Sequence, residues 1–260
     1  MKIQCAAKQM RTRLRNGDFL FGTHIQTNDP TLTELLGKSG FDYLWIDTEH
    51  TAIDYQQLQM HLIAARAAGC PALVRVPWNE SYLAKRVLDM GADGIIFPMI
   101  RTPEEARMAL ESCLYPPRGT RSCGPIRAAG YGAQPLNDYL CTAQDSVLRF
   151  LQIEHIDAID CLPEILDLPG LDGIILGPCD LSGSLGMPGK TDAPDVAACI
   201  NDVIYACGQR AIPVGVSLGA CGAETVLQWK QRGVGMVSAG SEYGFVCRGA
   251  EALVAGVHFA

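Results

Sequence analysis

The chain has 260 residues, 48% of them hydrophobic, enough to bury one large core as a single domain over 1–260. A net charge of −7 argues against a nucleic-acid partner, and no apolar run approaches the roughly 20 residues that cross a bilayer. The 11 cysteines are odd in number and form no CxxC pair, so neither a disulfide framework nor a thiolate zinc site is expected.

The basic start MKIQCAAKQMRTRLRNG lacks the apolar stretch of a signal peptide, so a cytoplasmic protein is expected. Within it Ile3, Ala7, Met10 and Leu14 recur at helical spacing, which predicts a leading helix within 1–18 that closes the floor of the fold. Eight short apolar or β-branched runs follow: FLFGTHI (19–25), FDYLWID (41–47), ALVRVP (72–77), GIIFPM (94–99), RFLQIE (149–154), DGIILG (172–177), PVGVSL (213–218) and GMVSAG (235–240). Between them lie helical segments such as DPTLTELLGKSG, where Asp29 can cap and Pro30 can open the first turn, and YLAKRVLDMGADG, which stops at glycine. Strands alternating with helices predict a parallel sheet, and eight of them predict a closed (β/α)8 TIM barrel in preference to an open doubly wound sheet.

Enzymes of that fold build their sites where the strands end. Polar residues collect there in this sequence: Asp47, Glu49 and His50 after strand 2, Arg75 on strand 3, Gln152 and Glu154 on strand 5, and Asp180 in GPCDLS after strand 6. Carboxylates brought so close repel one another, by about 4 kcal/mol per pair at 4 Å for an effective dielectric near 20, and a divalent cation relieves the repulsion. Glu154 and Asp180, completed by water and substrate oxygens, make a hard-oxygen site suited to Mg²⁺ or Mn²⁺. Asp180 is equally explained as a cap of the helix after strand 6.

The segments FDYLWIDTEH, LVRVPWNE, LDMGADGIIFPMI, YPPRGTRSCGPIRAAGYG, LQIEHIDAI and GLDGIILGPCDLSGSLG occur in this order. Together they resemble the HpcH/HpaI family of class II pyruvate aldolases over most of the chain, from Phe19 to Tyr243. The resemblance implies a barrel of the phosphoenolpyruvate/pyruvate-binding type whose last helix packs on a neighbour in a homohexamer or trimer. It also implies dependence on Mg²⁺, Mn²⁺ or Co²⁺ and reversible cleavage of a 4-hydroxy-2-oxoacid to pyruvate and an aldehyde. Residue by residue, it makes Glu154 and Asp180 metal ligands and gives proton transfer to His50, with Asp47 beside it. Arg75 and Gln152 would hold pyruvate, Cys179 would offer its backbone N–H to the pyruvate carboxylate, and Asp89 would reach a histidine across a subunit boundary. The chain departs from the family at His155, at Cys179 and in the loop SCGPIRAAGYG, which bears on the second substrate more than on the chemistry.

The residues themselves suit that chemistry. A divalent cation serves as Lewis acid while a pyruvate enolate forms, Arg75 adds fixed positive charge, and the imidazole of His50 relays the proton of the 4-hydroxyl. No lysine ends a strand, which disfavours a Schiff-base route. Arg118, Arg121 and Arg127 fall in one loop without an acid, and either receive an anionic tail or pair across an interface. Besides a barrel that binds pyruvate or oxalate without turning it over, two other functions remain open. One is a thioester lyase of the malyl-CoA type. The other is a serine hydrolase in which Ser217 of GVSLG is the nucleophile, although His258 is the only histidine after it.

Overall fold

The structure, a computed structural model, describes residues 6–258, so Ile3 of the leading-helix reading lies outside the described residues. Eight strands, β1 (Leu20–Ile25), β2 (Tyr43–Asp47), β3 (Ala72–Arg75), β4 (Gly94–Phe97), β5 (Leu148–Ile153), β6 (Gly173–Leu176), β7 (Val214–Leu218) and β8 (Met236–Ser241), close into a barrel. Each pairs in parallel with its chain neighbour, and β8 pairs with β1. The chain therefore has the expected (β/α)8 fold. The predicted runs 72–77 and 94–99 overreach, because Pro77 and Pro98 cannot donate to a ladder and the strands stop before them.

Helix α1 (Ala6–Arg15) precedes β1, and α2 (Pro30–Gly37), α3 (Tyr55–Ala68), α4 (Ser81–Asp89) and α5 (Pro103–Ser112) follow β1 to β4. A long connection leads to α6 (Leu136–Ala143) before β5. Two helices then follow β5, α7 (Ile156–Asp160) and α8 (Leu162–Leu166), and two follow β6, α9 (Pro178–Ser184) and α10 (Pro194–Gln209); α11 (Ala223–Gln231) follows β7 and α12 (Glu242–His258) follows β8. Local chemistry sets several starts. Asp29 caps α2 by accepting from the Thr31 N–H at 2.8 Å, with Pro30 in its first turn as expected.

Strand alternation divides the core. Leu44, Ile46, Val74 and Ile174 point outward into the layer beneath the helices, whereas Tyr43, Trp45, Leu73, Phe150 and Ile175 fill the barrel's lower interior. Each fully buried side chain of this kind stabilises the fold by roughly 1.5–3 kcal/mol. Gly22 is required there, since a Cβ would lie 2.5 Å from the Tyr43 ring. Ala7, Met10 and Leu14 of α1 pack onto this interior cluster and close the floor. Arg11 fastens the helix, its Nε 2.6 Å and its Nη2 3.0 Å from the two oxygens of Asp172.

Helix α12 contrasts with the others: Glu242 is its buried residue, while Val246, Leu253, Val254 and Val257 are exposed. Glu242 is also tied to the connection after β1. Its Oε1 accepts from the backbone N–H groups of Gln26 and Thr27, both at 2.7 Å, and from the Thr27 hydroxyl at 2.9 Å.

Candidate active site

With its lower interior filled by apolar side chains, the barrel presents a polar recess at the strands' C-terminal ends. Asp47, the last residue of β2, lies opposite Arg75, the last residue of β3, in the ladder register. That register brings the guanidinium onto the carboxylate in a two-point contact, Nε to Oδ1 at 3.0 Å and Nη2 to Oδ2 at 2.6 Å. Asp47 Oδ1 also accepts the backbone N–H of Glu49 at 3.0 Å and of His50 at 3.4 Å, so one carboxylate shapes the turn after β2. Burial alone would raise Asp47, but the hydrogen bonds and charge of Arg75, with those N–H groups, hold it below the usual carboxylate range. Arg75 also places Nη1 3.0 Å from Glu49 Oε2 and lies over the Trp45 ring at 5.4 Å.

Glu154 directly follows β5 and is buried. Its Oε1 accepts from the Met99 N–H at 2.7 Å and its Oε2 from Gln152 Nε2 at 2.5 Å. Met99 holds a left-handed φ of 55°, a conformation that non-glycine residues seldom adopt. Gly177 makes room for the carboxylate, since a Cβ there would collide with Glu154 Oε2. Burial pushes Glu154 up to about 7 against the pull of the Met99 N–H, and the charges of Asp180 and Glu49 add to the rise. Glu49 is also raised to about 7, chiefly by burial, with Arg75 opposing and Asp47 and Asp180 reinforcing.

Asp180 lies in the first turn of α9, but the N-cap is Gly177 and makes no side-chain cap bond, so capping does not account for Asp180. It lines one recess together with Arg75, Gln152 and Cys179. The backbone N–H of Cys179 falls in the first turn of α9, where no intrahelical acceptor is available. Among the described residues no group of three or more His, Cys, Asp or Glu side chains is arranged to hold a metal ion. The donor set nevertheless fits a hard divalent cation completed by water and substrate. Glu154 and Asp180 offer carboxylate oxygens, the charge of Asp180 raises the proton affinity of Glu154, and buried Oε1 of Gln152 has no hydrogen-bond partner.

Other sequence candidates are placed differently. The His50 side chain is 64% exposed, with Nε2 3.8 Å from Glu49 Oε1, so the nearest carboxylate is Glu49, and Asp47 meets His50 through its backbone. His50 lines a neighbouring recess with Gln26, Asn28 and Tyr243. Asp89 ends α4 and pairs within the chain with Arg121, Oδ1 to Nη2 at 2.8 Å, rather than with His50. Arg127 bonds the carbonyls of Met90 and of Leu62, the latter at 3.0 Å. Arg121 and Arg127 are therefore buried in contacts of their own chain, whereas Arg118 lines a separate recess beside Glu111. His155 caps α7, accepting from the Asp157 N–H at 3.2 Å.

Sequence reading missed His24. It follows Leu20 and Gly22 at the two-residue spacing of a strand's inner face, which was the available signal. Its Nδ1 lies 2.9 Å from the Gly240 carbonyl and its Nε2 2.9 Å from Ser217 Oγ, so the histidine beside Ser217 lies upstream and His258 is not involved. The third group of this would-be triad is a backbone carbonyl rather than a carboxylate, which leaves an imidazolium without the usual counter-charge. Burial, reinforced by Arg75, keeps His24 below the usual imidazole value despite the Gly240 carbonyl.

A profile of the family described as HpcH/HpaI aldolase/citrate lyase matches residues 20–246. A hydroxypyruvate/pyruvate aldolase of Roseovarius nubinhibens is 37% identical over 194 residues, covering 75% of this chain and 76% of that protein. A 4-hydroxy-2-oxo-heptane-1,7-dioate aldolase of Klebsiella pneumoniae is 35% identical over 222 residues, covering 85% of this chain and 83% of that protein. Among solved structures, an HpcH/HpaI aldolase/citrate lyase family protein from Burkholderia cenocepacia aligns with a TM-score of 0.91 at 31% identity, covering 96% of this chain and 99% of the other.

Proposed function

The chain belongs to the HpcH/HpaI aldolase/citrate lyase family, and from that premise we propose that it is a divalent-metal-dependent aldolase that reversibly cleaves a 4-hydroxy-2-oxoacid to pyruvate and an aldehyde. The observation that carries the reading is one recess at the strand ends lined by Arg75, Gln152 and Asp180, with Glu154 in contact with Gln152. Relatives named as aldolases favour a carbonyl substrate over a thioester.

Glu154 and Asp180 are the residues that would hold Mg²⁺, Mn²⁺ or Co²⁺, which when bound supplies Lewis-acid polarisation of the 2-oxoacid oxygens. Arg75, fixed by Asp47, sets a permanent positive charge beside the substrate's carboxylate and the oxygen that becomes enolate. Gln152, anchored on Glu154, and the Cys179 N–H orient the pyruvate half. His50, at the rim beside Glu49, exchanges the proton of the 4-hydroxyl through water.

The protein works as a homo-oligomer, hexamer or trimer, in the cytoplasm. The exposed apolar side chains of α12 supply the surface for assembly, and the partly open Asp89 carboxylate reaches a neighbouring chain's His50. A screen of 4-hydroxy-2-oxoacids with added Mg²⁺ or Mn²⁺, read as pyruvate release, tests the activity. The reading fails if none is cleaved and no divalent ion promotes exchange of pyruvate's methyl protons.

A further inference from the structure

The recess is uneven in charge around the barrel. Arg75 of β3, Gln152 of β5 and Asp180 after β6 occupy one arc, whereas His24, Ser217 and Ser241 come from β1, β7 and β8, which are consecutive in the closed sheet. Gln26, Leu218, Gly219, Ala220 and Gly240 complete the second arc, so apart from Leu218 its lining is polar or small, and it carries no fixed charge. At about 270 Å³ the recess falls at or below the roughly 300–1,000 Å³ typical of drug-sized ligands, which restricts it to short substrates.

His24 and Ser217 have settled donor and acceptor roles. The Gly240 carbonyl can only accept, so Nδ1 carries the ring proton and Nε2 is a bare acceptor for the Ser217 hydroxyl. The ring is held against Trp45 with centroids 5.3 Å apart. With its proton committed to His24, Ser217 Oγ offers lone pairs to the recess, a partner for an incoming O–H and a poor one for a carboxylate. Neutrality of the buried imidazole strengthens that preference.

We propose that the His24–Ser217 pair selects the aldehyde half of the reaction, favouring a short aldehyde with a hydroxyl group over a plain alkyl aldehyde or one ending in a carboxylate. This rests on the aldolase reading. In the addition direction the pyruvate methyl carbon loses a proton and bonds to the aldehyde carbon, whose oxygen gains a proton; the pair takes part in neither transfer and acts on selectivity.

The test uses the full chain with added Mn²⁺. Deuterium exchange into the pyruvate methyl group, followed by NMR, reports the pyruvate half alone. Product formation with glycolaldehyde, propionaldehyde and succinic semialdehyde reports the aldehyde half. Wild type should favour glycolaldehyde over either competitor by at least about tenfold in kcat/KM. Ser217→Ala and His24→Phe should each reduce that preference about tenfold, with every rate divided by the variant's own exchange rate. Should His24→Phe not fold, Ser217→Ala, which removes one oxygen, decides alone. Exchange with no wild-type preference for glycolaldehyde, or with a preference that survives substitution, overturns the selectivity proposal and leaves the aldolase reading standing. No exchange in wild type overturns both.

Discussion

Arg75 holds Asp47 through both arms of its fork, at 3.0 and 2.6 Å, and the pair is almost wholly buried. Lysine offers a point charge in place of that planar contact. Arg75→Lys should therefore lower kcat by about 100-fold or more and reduce stability by about 1–3 kcal/mol, the cost of leaving Asp47 part-satisfied. Steady-state kinetics and thermal melts check this; near-normal turnover and pyruvate affinity would remove Arg75 from the site.

Glu154→Gln keeps an oxygen for the Met99 N–H but removes the charge that a cation needs. Pyruvate release should be lost in this variant, and in wild type treated with chelator, with unchanged circular dichroism. Full activity in chelator would refute the metal reading. A site with two carboxylates should accept several divalent ions, seen as activity recovered by Mg²⁺, Mn²⁺ or Co²⁺.

Burial places Glu154 near 7, above its ordinary 4.5, so the folded chain retains a proton that the unfolded chain releases. That contribution is fully present below the unfolded value and is lost as pH rises through about 7. In chelator, Tm of the wild type relative to Glu154→Gln should fall by a few degrees between pH 5.5 and pH 8. Added Mn²⁺ should raise the wild-type Tm more at pH 8 than at pH 5.5. Differential scanning calorimetry measures both, and a relative Tm that rises with pH contradicts the assignment.

Asp89 keeps 21% of its side chain exposed while Arg121 beside it is 1% exposed, so the carboxylate is open on one side. His50→Ala and Asp89→Asn should each be nearly inactive alone, asparagine being chosen to preserve an acceptor for Arg121. Refolded together, they should regain activity at sites that combine an intact His50 with another chain's Asp89. Mixed oligomers, verified by mass spectrometry, that stay as inactive as their parents would assign His50 a partner from its own chain, with Glu49 nearest.

The eight strands were legible because apolar, β-branched runs alternate with capped helices, and the acids and Arg75 stood out because they end those runs. His24 and Ser217 were not legible as a pair: 193 residues separate them and β8 lies between their strands, so no local spacing records the contact. The contacts of Arg121 and Arg127 were hidden for a related reason. Their loop contains no acid, but the groups that receive them, Asp89, Met90 and Leu62, belong to distant segments that only folding brings close. The doubled helices after β5 and β6 were missed because α7, α8 and α9 are only 5 to 7 residues long, too short to display a helical period.

Glu242 begins the helix with the exposed apolar face and also holds Gln26, which lines the recess. Three hydrogen bonds on a single oxygen make the root of α12 and the rim of the barrel one rigid joint. A tilt of α12 would therefore carry Gln26 with it, because the first residue of the helix and the recess wall share one carboxylate oxygen.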